Sequence, residues 1–161
     1  TGDQYDQFSV DFNFGNGVHC HSMCRQIDGC TTVIREEVHG TKGYWRSDKK
    51  AIYDYQGNVL WQYDVEAEKV EHAQNNPYVL EHVDWVNHIR KGEMHVEAEE
   101  TAYSCLAGVM GREAAYTGEN IKWEDISASP LDYLPAKLEL GPMDMTRDIP
   151  VPGGDKGRKG I

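Results

Sequence analysis

No stretch of this 161-residue chain approaches the roughly 20 consecutive apolar residues that a bilayer-spanning helix needs. Basic residues are scarce as well: 16 Lys and Arg stand against 27 Asp and Glu, for a formal net charge of −11. Phosphate contacts need clustered Lys and Arg, so this balance argues against nucleic acid as a partner. The one basic cluster, Lys156-Gly157-Arg158-Lys159, is short and glycine-flanked and reads as a solvated tail. Cysteine is sparse: Cys20, Cys24, Cys30 and Cys105 are too few for a disulfide framework at this length. Three of them lie in or beside one expected strand, where free cysteine behaves as a small buried hydrophobe, and the redox compartment stays open. The chain starts at Thr1 without an initiator methionine or a basic-then-apolar leader. It turns strand-like within a few residues, as expected of a segment cut from a longer polypeptide.

Catalytic and nucleotide motifs are missing too. The chain has no Gly-x-Ser-x-Gly, no P-loop and no Gly-x-Gly-x-x-Gly. Gly153, Gly154 and Gly157 fall in a proline-rich tail rather than after a strand.

What is there is a globular composition, 39% hydrophobic and 27% charged, enough for one domain. Phe8, Val10, Phe12 and Phe14 alternate with polar residues, the period of a half-buried strand. Gly15-Asn16-Gly17 supplies a tight hairpin, and the return strand covers about residues 18–26. A third strand is expected over 32–39, ending at Gly40-Thr41-Lys42-Gly43, with shorter strands near 51–55 and 59–63. Asn76 and Pro77 open a helix that Gly92 ends, with Val79, Val83, Val86 and Ile89 as its apolar stripe. A second helix covers about 97–116, closed by Gly118, with Ala102, Cys105, Leu106, Val109 and Met110 on one face. Gly108 and Gly111 cost helix propensity there, so close backbone approach is expected at both. Five prolines after Ser127 rule out further long helices. The fold class is α+β: an open, largely antiparallel sheet with two main helices on one face. Apolar residues on both strand parities point to a second sheet face buried in a homodimer.

Two clusters invite chemistry. His19-Cys20-His21-Ser22-Met23-Cys24 offers four soft ligands, but strand parity sends His19 and His21 to one face and Cys20 and Cys24 to the other. They do not converge on one tetrahedral centre, and no metal set is read from the sequence. Asp84 and His88 stand four apart on one helix face; with no third group in sight they read as a surface pair. Glu36 and Glu37 point to opposite faces and make no glycosidase-type carboxylate pair.

The runs Gly2-Asp3-Gln4-Tyr5-Asp6-Gln7-Phe8-Ser9-Val10-Asp11-Phe12, Asn16-Gly17-Val18 and Ser22-Met23-Cys24-Arg25-Gln26-Ile27 carry a resemblance. So do Gly40-Thr41-Lys42-Gly43, Asn76-Pro77-Tyr78-Val79-Leu80-Glu81-His82, Met110-Gly111-Arg112-Glu113-Ala114-Ala115-Tyr116-Thr117-Gly118 and Ile149-Pro150-Val151-Pro152-Gly153. Together, in order along nearly the whole chain, they resemble a bacterial branch of the glucose–fructose oxidoreductase / inositol dehydrogenase (Gfo/Idh/MocA) family. That resemblance implies an N-terminal Rossmann domain, absent from this chain, that binds NAD or NADP. Residues 1–126 then correspond to the C-terminal substrate and oligomerisation domain, and 127–161 to an extended tail. The family's Glu-Lys-Pro lysine and catalytic helix have no counterpart here, so no catalytic residue is carried over. The resemblance implies a substrate rim for a sugar or polyol: Arg25 and Gln26, then Cys30, Thr31 and Thr32 in the loop entering the third strand, with Tyr78 and His82 at the helix start. Relatives that cleave glycosides through a retained nicotinamide, or a free-standing sugar-binding module, are the alternatives. Branch members are often exported, which leaves cytoplasm and periplasm both open.

Without the glycine-rich turn that cradles a pyrophosphate, the chain alone is expected to bind neither NAD nor NADP. Calorimetric titration should give no heat of binding; a stoichiometric micromolar isotherm would contradict this.

Overall fold

The computed structural model describes residues 4–67, 76–132, 134, 137–142 and 149–153. In chain order its elements are β1 (Gln7–Asn13), β2 (His19–Arg25), β3 (Glu37–His39), β4 (Gly43–Arg46), β5 (Ala51–Asp54), β6 (Val59–Gln62), α1 (Pro77–Lys91), α2 (Ala98–Thr117) and α3 (Trp123–Ser127). A further helical turn begins at residues 65–67, where Asp64 Oδ1 accepts the Glu66 and Ala67 N–H groups. The fold is mixed α+β with two main helices and open antiparallel sheets. The strands divide into a β1–β2 ribbon and a four-stranded sheet in the order β3-β4-β5-β6, rather than one sheet. The chain separates into two compact units, Thr1–Gly29 with Glu97–Ile161, and Cys30–Val96. The basic run at 156–159 lies outside the described residues.

The first unit follows the sequence pattern closely. Gly15, Asn16 and Gly17 turn the hairpin at φ of 82°, 51° and 75°, a region that glycine and asparagine enter most cheaply. Phe8, Val10 and Phe12 are half-buried, and their polar neighbours are exposed. α2 lies against this side of β1: a Cβ added at Gly111 would stand 2.8 Å from Phe12 Cζ and 3.6 Å from Val10 Cγ1. Close approach thus explains Gly111. At Gly108 an added Cβ meets nothing within 4 Å among the described residues, so the expectation of close approach fails there. One turn beyond Gly111, the Tyr116 ring meets Tyr5 edge-on at 4.8 Å and Phe8 at 5.9 Å. Buried Glu113 accepts from Arg112 Nε at 3.0 Å, so its charge is paired. α3, a short helix that the sequence did not announce, sets Trp123 edge-on against Tyr103 and buries Ile126. The tail returns to this unit: Tyr5 Oη donates to the Pro150 carbonyl, and Gly153 N–H to that of Thr117.

The second unit departs more from expectation. The third strand shrinks from 32–39 to Glu37–His39, and an unforeseen strand, β4, runs from Gly43 to Arg46. The two differences share a cause. Ladder pairing ends where Ser47 N–H donates to the Glu36 carbonyl and Ser47 Oγ accepts the Glu36 N–H. The chain then turns away at Ser47–Lys50, with Lys50 at a φ of 49°, and residues 31–35 join no strand ladder among the described residues. Gly43 starts β4 because a side chain there would overlap the Tyr53 carbonyl. Asp54 closes the β5–β6 hairpin, its carboxylate accepting from the Gln56 N–H, the Asn58 N–H and Asn58 Nδ2. Those bonds, the Asn58 side chain first, hold the Asp54 carboxyl below the usual carboxylate range.

Register sorts the side chains of this sheet. Val38 faces Trp45, Trp45 faces Ile52, and Ile52 faces Trp61, so one surface carries an apolar row across all four strands. Val38, Ile52 and Trp61 are exposed at 63%, 37% and 48%. On the opposite surface His39, Tyr44 and Tyr53 stack at centroid separations of 5.4 Å, beside an Arg46–Glu37 ion pair.

α1 is capped as its sequence dictates. Asn76 Oδ1 accepts the Tyr78 N–H at 3.0 Å, Pro77 occupies the first turn, and Gly92 ends the helix at a φ of 71°. Its stripe of Val79, Val83, Val86 and Ile89 exists but is exposed, and only Leu80 and His88 are partly covered.

The two helix glycines give opposite expectations. Gly108→Ala should stabilise the chain by up to about 1 kcal/mol through helix propensity. Gly111→Val should destabilise it by about 1–3 kcal/mol, because the added atoms drive into Phe12. Urea unfolding followed by circular dichroism checks both; equal effects would contradict this account of Gly111.

Candidate functional site

All seven residues of the expected substrate rim are exposed. Arg25 is the last residue of β2, opposite Gln7, and the Gln26 N–H donates to the Asp6 carbonyl at 2.7 Å, so both stand at a ribbon end as expected. Cys30, Thr31 and Thr32 do not enter a strand: β3 begins only at Glu37, and they lie in irregular chain upstream of it. Tyr78 and His82 occupy successive turns at the start of α1, where His82 Nδ1–H donates to the Tyr78 carbonyl at 2.7 Å. Glu81 Oε1 lies 3.4 Å from the same ring nitrogen. Arg25 and Gln26 belong to the first unit, and the other five to the second. Exposed hydroxyl, amide, guanidinium and imidazole groups of this kind suit hydrogen bonding to a polyhydroxylated ligand.

On β2 the parity argument holds in three dimensions. Cys20, Ser22 and Cys24 pair with Phe12, Val10 and Phe8, whereas His19, His21 and Met23 pair with Asn13, Asp11 and Ser9. Both histidines have local partners: His19 Nδ1 bonds Asp11 Oδ2 at 2.8 Å, and His21 Nε2 bonds Ser9 Oγ at 2.9 Å. The cysteines, expected to be buried, are all exposed. α2 meets β1, and Cys20 and Cys24 stand on the other strand of the ribbon.

Asp84 and His88 form the expected helix pair and have further groups beside them. His88 Nδ1 lies 3.6 Å from Asp84 Oδ2 and donates to the Asp84 backbone carbonyl at 3.0 Å. The missing third group is His95, whose ring stands 4.5 Å from that of His88 between centroids. Glu93 Oε2 is 3.9 Å from His88 Nε2. Sequence spacing within the helix finds the first two residues. His95 joins them only because the chain reverses at Gly92, where Gly92 N–H donates to the Ile89 carbonyl and Glu93 N–H to that of His88.

Among the described residues no helix start offers the glycine-rich turn that cradles a dinucleotide's pyrophosphate. The described helices open at Asp64-Val65, Asn76-Pro77, Glu97-Ala98 and Lys122-Trp123, and none follows a glycine-rich turn. Pro77 removes an N–H from the first turn of α1, and acidic residues (Glu99, Glu100, Glu124 and Asp125) occupy the first turns of α2 and α3 and repel phosphate.

No family model, curated protein or solved structure matches the chain.

Proposed function

We propose that this chain is the substrate-binding and oligomerisation half of an NAD(P)-dependent sugar or polyol oxidoreductase of the Gfo/Idh/MocA type. The observation that carries the reading is the row Val38–Trp45–Ile52–Trp61, an apolar surface standing open on an antiparallel sheet. Soluble monomers rarely leave a patch of this kind uncovered. A second copy covers it with the same patch under two-fold symmetry, in an obligate interface expected to bury more than about 1,500 Å².

Support also comes from where the family-like runs fall. Asn16-Gly17 turns the ribbon at positive φ, Gly40 and Gly43 bracket the β3–β4 turn, and Asn76-Pro77 caps α1. Gly111, Glu113 and Tyr116 are the buried residues of α2, and Gly118 is its cap. Several residues of these runs thus fix turns, caps and contacts of the chain. In this reading Arg25 and Gln26 in the first unit, and separately Cys30, Thr31, Thr32, Tyr78 and His82 in the second, are the candidate groups for hydrogen bonds to substrate hydroxyls. Hydride chemistry belongs to a cofactor held by the companion domain, and no residue of this chain takes part in a step through it.

Light scattering at micromolar concentration should give a dimer mass for the chain. Ile52→Glu, a charge in the middle of the apolar row, should dissociate or unfold it, while Thr101→Glu on the exposed side of α2 should leave mass and melting unchanged. A monomer mass for the unmodified chain would overturn the oligomerisation role. Reading the coding sequence upstream of Thr1 tests the other half: continuation in frame into a Rossmann domain is expected, and its absence would leave a free-standing module.

A further inference from the structure

We infer that Asp84, His88 and His95 form a binding site for one divalent first-row transition ion, with zinc the natural occupant. Each residue contributes one ligand atom, and the three atoms lie within 4.8 Å of one another. Among the described residues this is the one such group of histidine, cysteine and carboxylate side chains. Two imidazoles and a carboxylate are a donor set that suits zinc, and three protein ligands leave a coordination position open to water or substrate.

Local structure supports the site beyond mere proximity. Asp84 and His88 are held one turn apart on α1, the most regular arrangement by which a helix presents two side chains to one point. His88 is the better covered of the two, with its side chain 27% exposed against 60% for Asp84. Its Nδ1–H donates to the Asp84 carbonyl, which orients the ring and leaves the lone pair on Nε2. Metal-ligating histidines commonly carry such a bond on the other nitrogen. Asp84 Oδ2 lies 3.6 Å from His88 Nδ1, so the carboxylate has to rotate toward Nε2 for both to meet one ion. The reversal at Gly92, locked by its N–H and that of Glu93, returns His95 to the last turn of the helix. Glu93 arrives by the same reversal, 3.9 Å from His88 Nε2, within reach as a fourth ligand or an outer partner.

Tetrahedral ligands about 2.1 Å from zinc stand about 3.4 Å apart, so sides of the triangle contract by up to about 1.4 Å on binding. Exposed Asp84 and His95 make that adjustment by side-chain rotation. All three residues belong to the Cys30–Val96 unit, and the inference does not depend on the substrate proposed above.

The test uses the reduced chain and the metals alone. Calorimetry with Zn²⁺ should show one ion per chain. Co²⁺ should give visible d–d bands without the intense near-ultraviolet charge transfer of a thiolate ligand. His88→Ala, His95→Ala and Asp84→Asn should each weaken binding at least ~10-fold, since even outer-sphere losses cost that much. The variants Cys20→Ser/Cys24→Ser and His21→Ala should leave binding unchanged, and circular dichroism of every variant should match the unmodified chain. Binding weaker than about 1 mM, a ΔG of roughly −4 kcal/mol, would overturn the site. So would binding that survives loss of His88 and His95, or that follows the cysteines.

Discussion

Strand register in the β3–β6 sheet is the constraint on which the rest depends. A shift of one residue at any pairing would scatter Val38, Trp45, Ile52 and Trp61 over both surfaces; as paired, they stand in one row. Burying a large apolar side chain is worth about 1.5–3 kcal/mol, and the exposed members of this row gain little of that within the chain. The β1–β2 ribbon shows the alternative. There α2 supplies the cover, and Gly111 lets its backbone come close enough to Phe12 to exclude water. Among the described residues the buried apolar set is small: Ala51, Tyr116 and Ile126. The row and the α1 stripe together are the surface that a partner has most to gain by covering.

Local chemistry was the legible part of the sequence. The Gly15-Asn16-Gly17 hairpin, the Asn76-Pro77 cap, and the Gly92 and Gly118 stops each depend on a few adjacent residues, and the structure uses all of them. Strand lengths in the second unit were not legible, because a strand lasts only as long as its partner. Val33 and Ile34 look strand-like, but the ladder has already ended at Ser47, and both stand in solvent. β4 escaped notice because four residues between Gly43 and the Ser47–Lys50 turn give periodicity too little room. The cysteines misled for a related reason. Parity places Cys20 and Cys24 on the Phe12 side of the ribbon, but it does not say that α2 covers one strand and leaves the other bare.

The candidate site shows the same boundary between near and far. Helical spacing reveals Asp84 and His88; His95 lies seven residues on, across a glycine, and only the αL geometry of Gly92 brings its ring over. A histidine two or three residues past a helix-ending glycine is the signal that could have found it. The rim residues remain an inference from likeness rather than from convergence: Tyr78 and His82 share a bond, while Thr31 and Thr32 sit in chain whose path the strand pattern did not foresee.

Tryptophan emission tests the covered-sheet account most directly, since Trp45 and Trp61 both belong to the row and only Trp85 and Trp123 lie elsewhere. In the Trp85→Phe/Trp123→Phe variant the remaining emission should be blue-shifted at micromolar concentration, as in an apolar interface, and should move to longer wavelength as dilution separates the copies. Emission at the wavelength of water-exposed indole at every concentration, with the chain still folded, would contradict the claim that this face is buried between two copies.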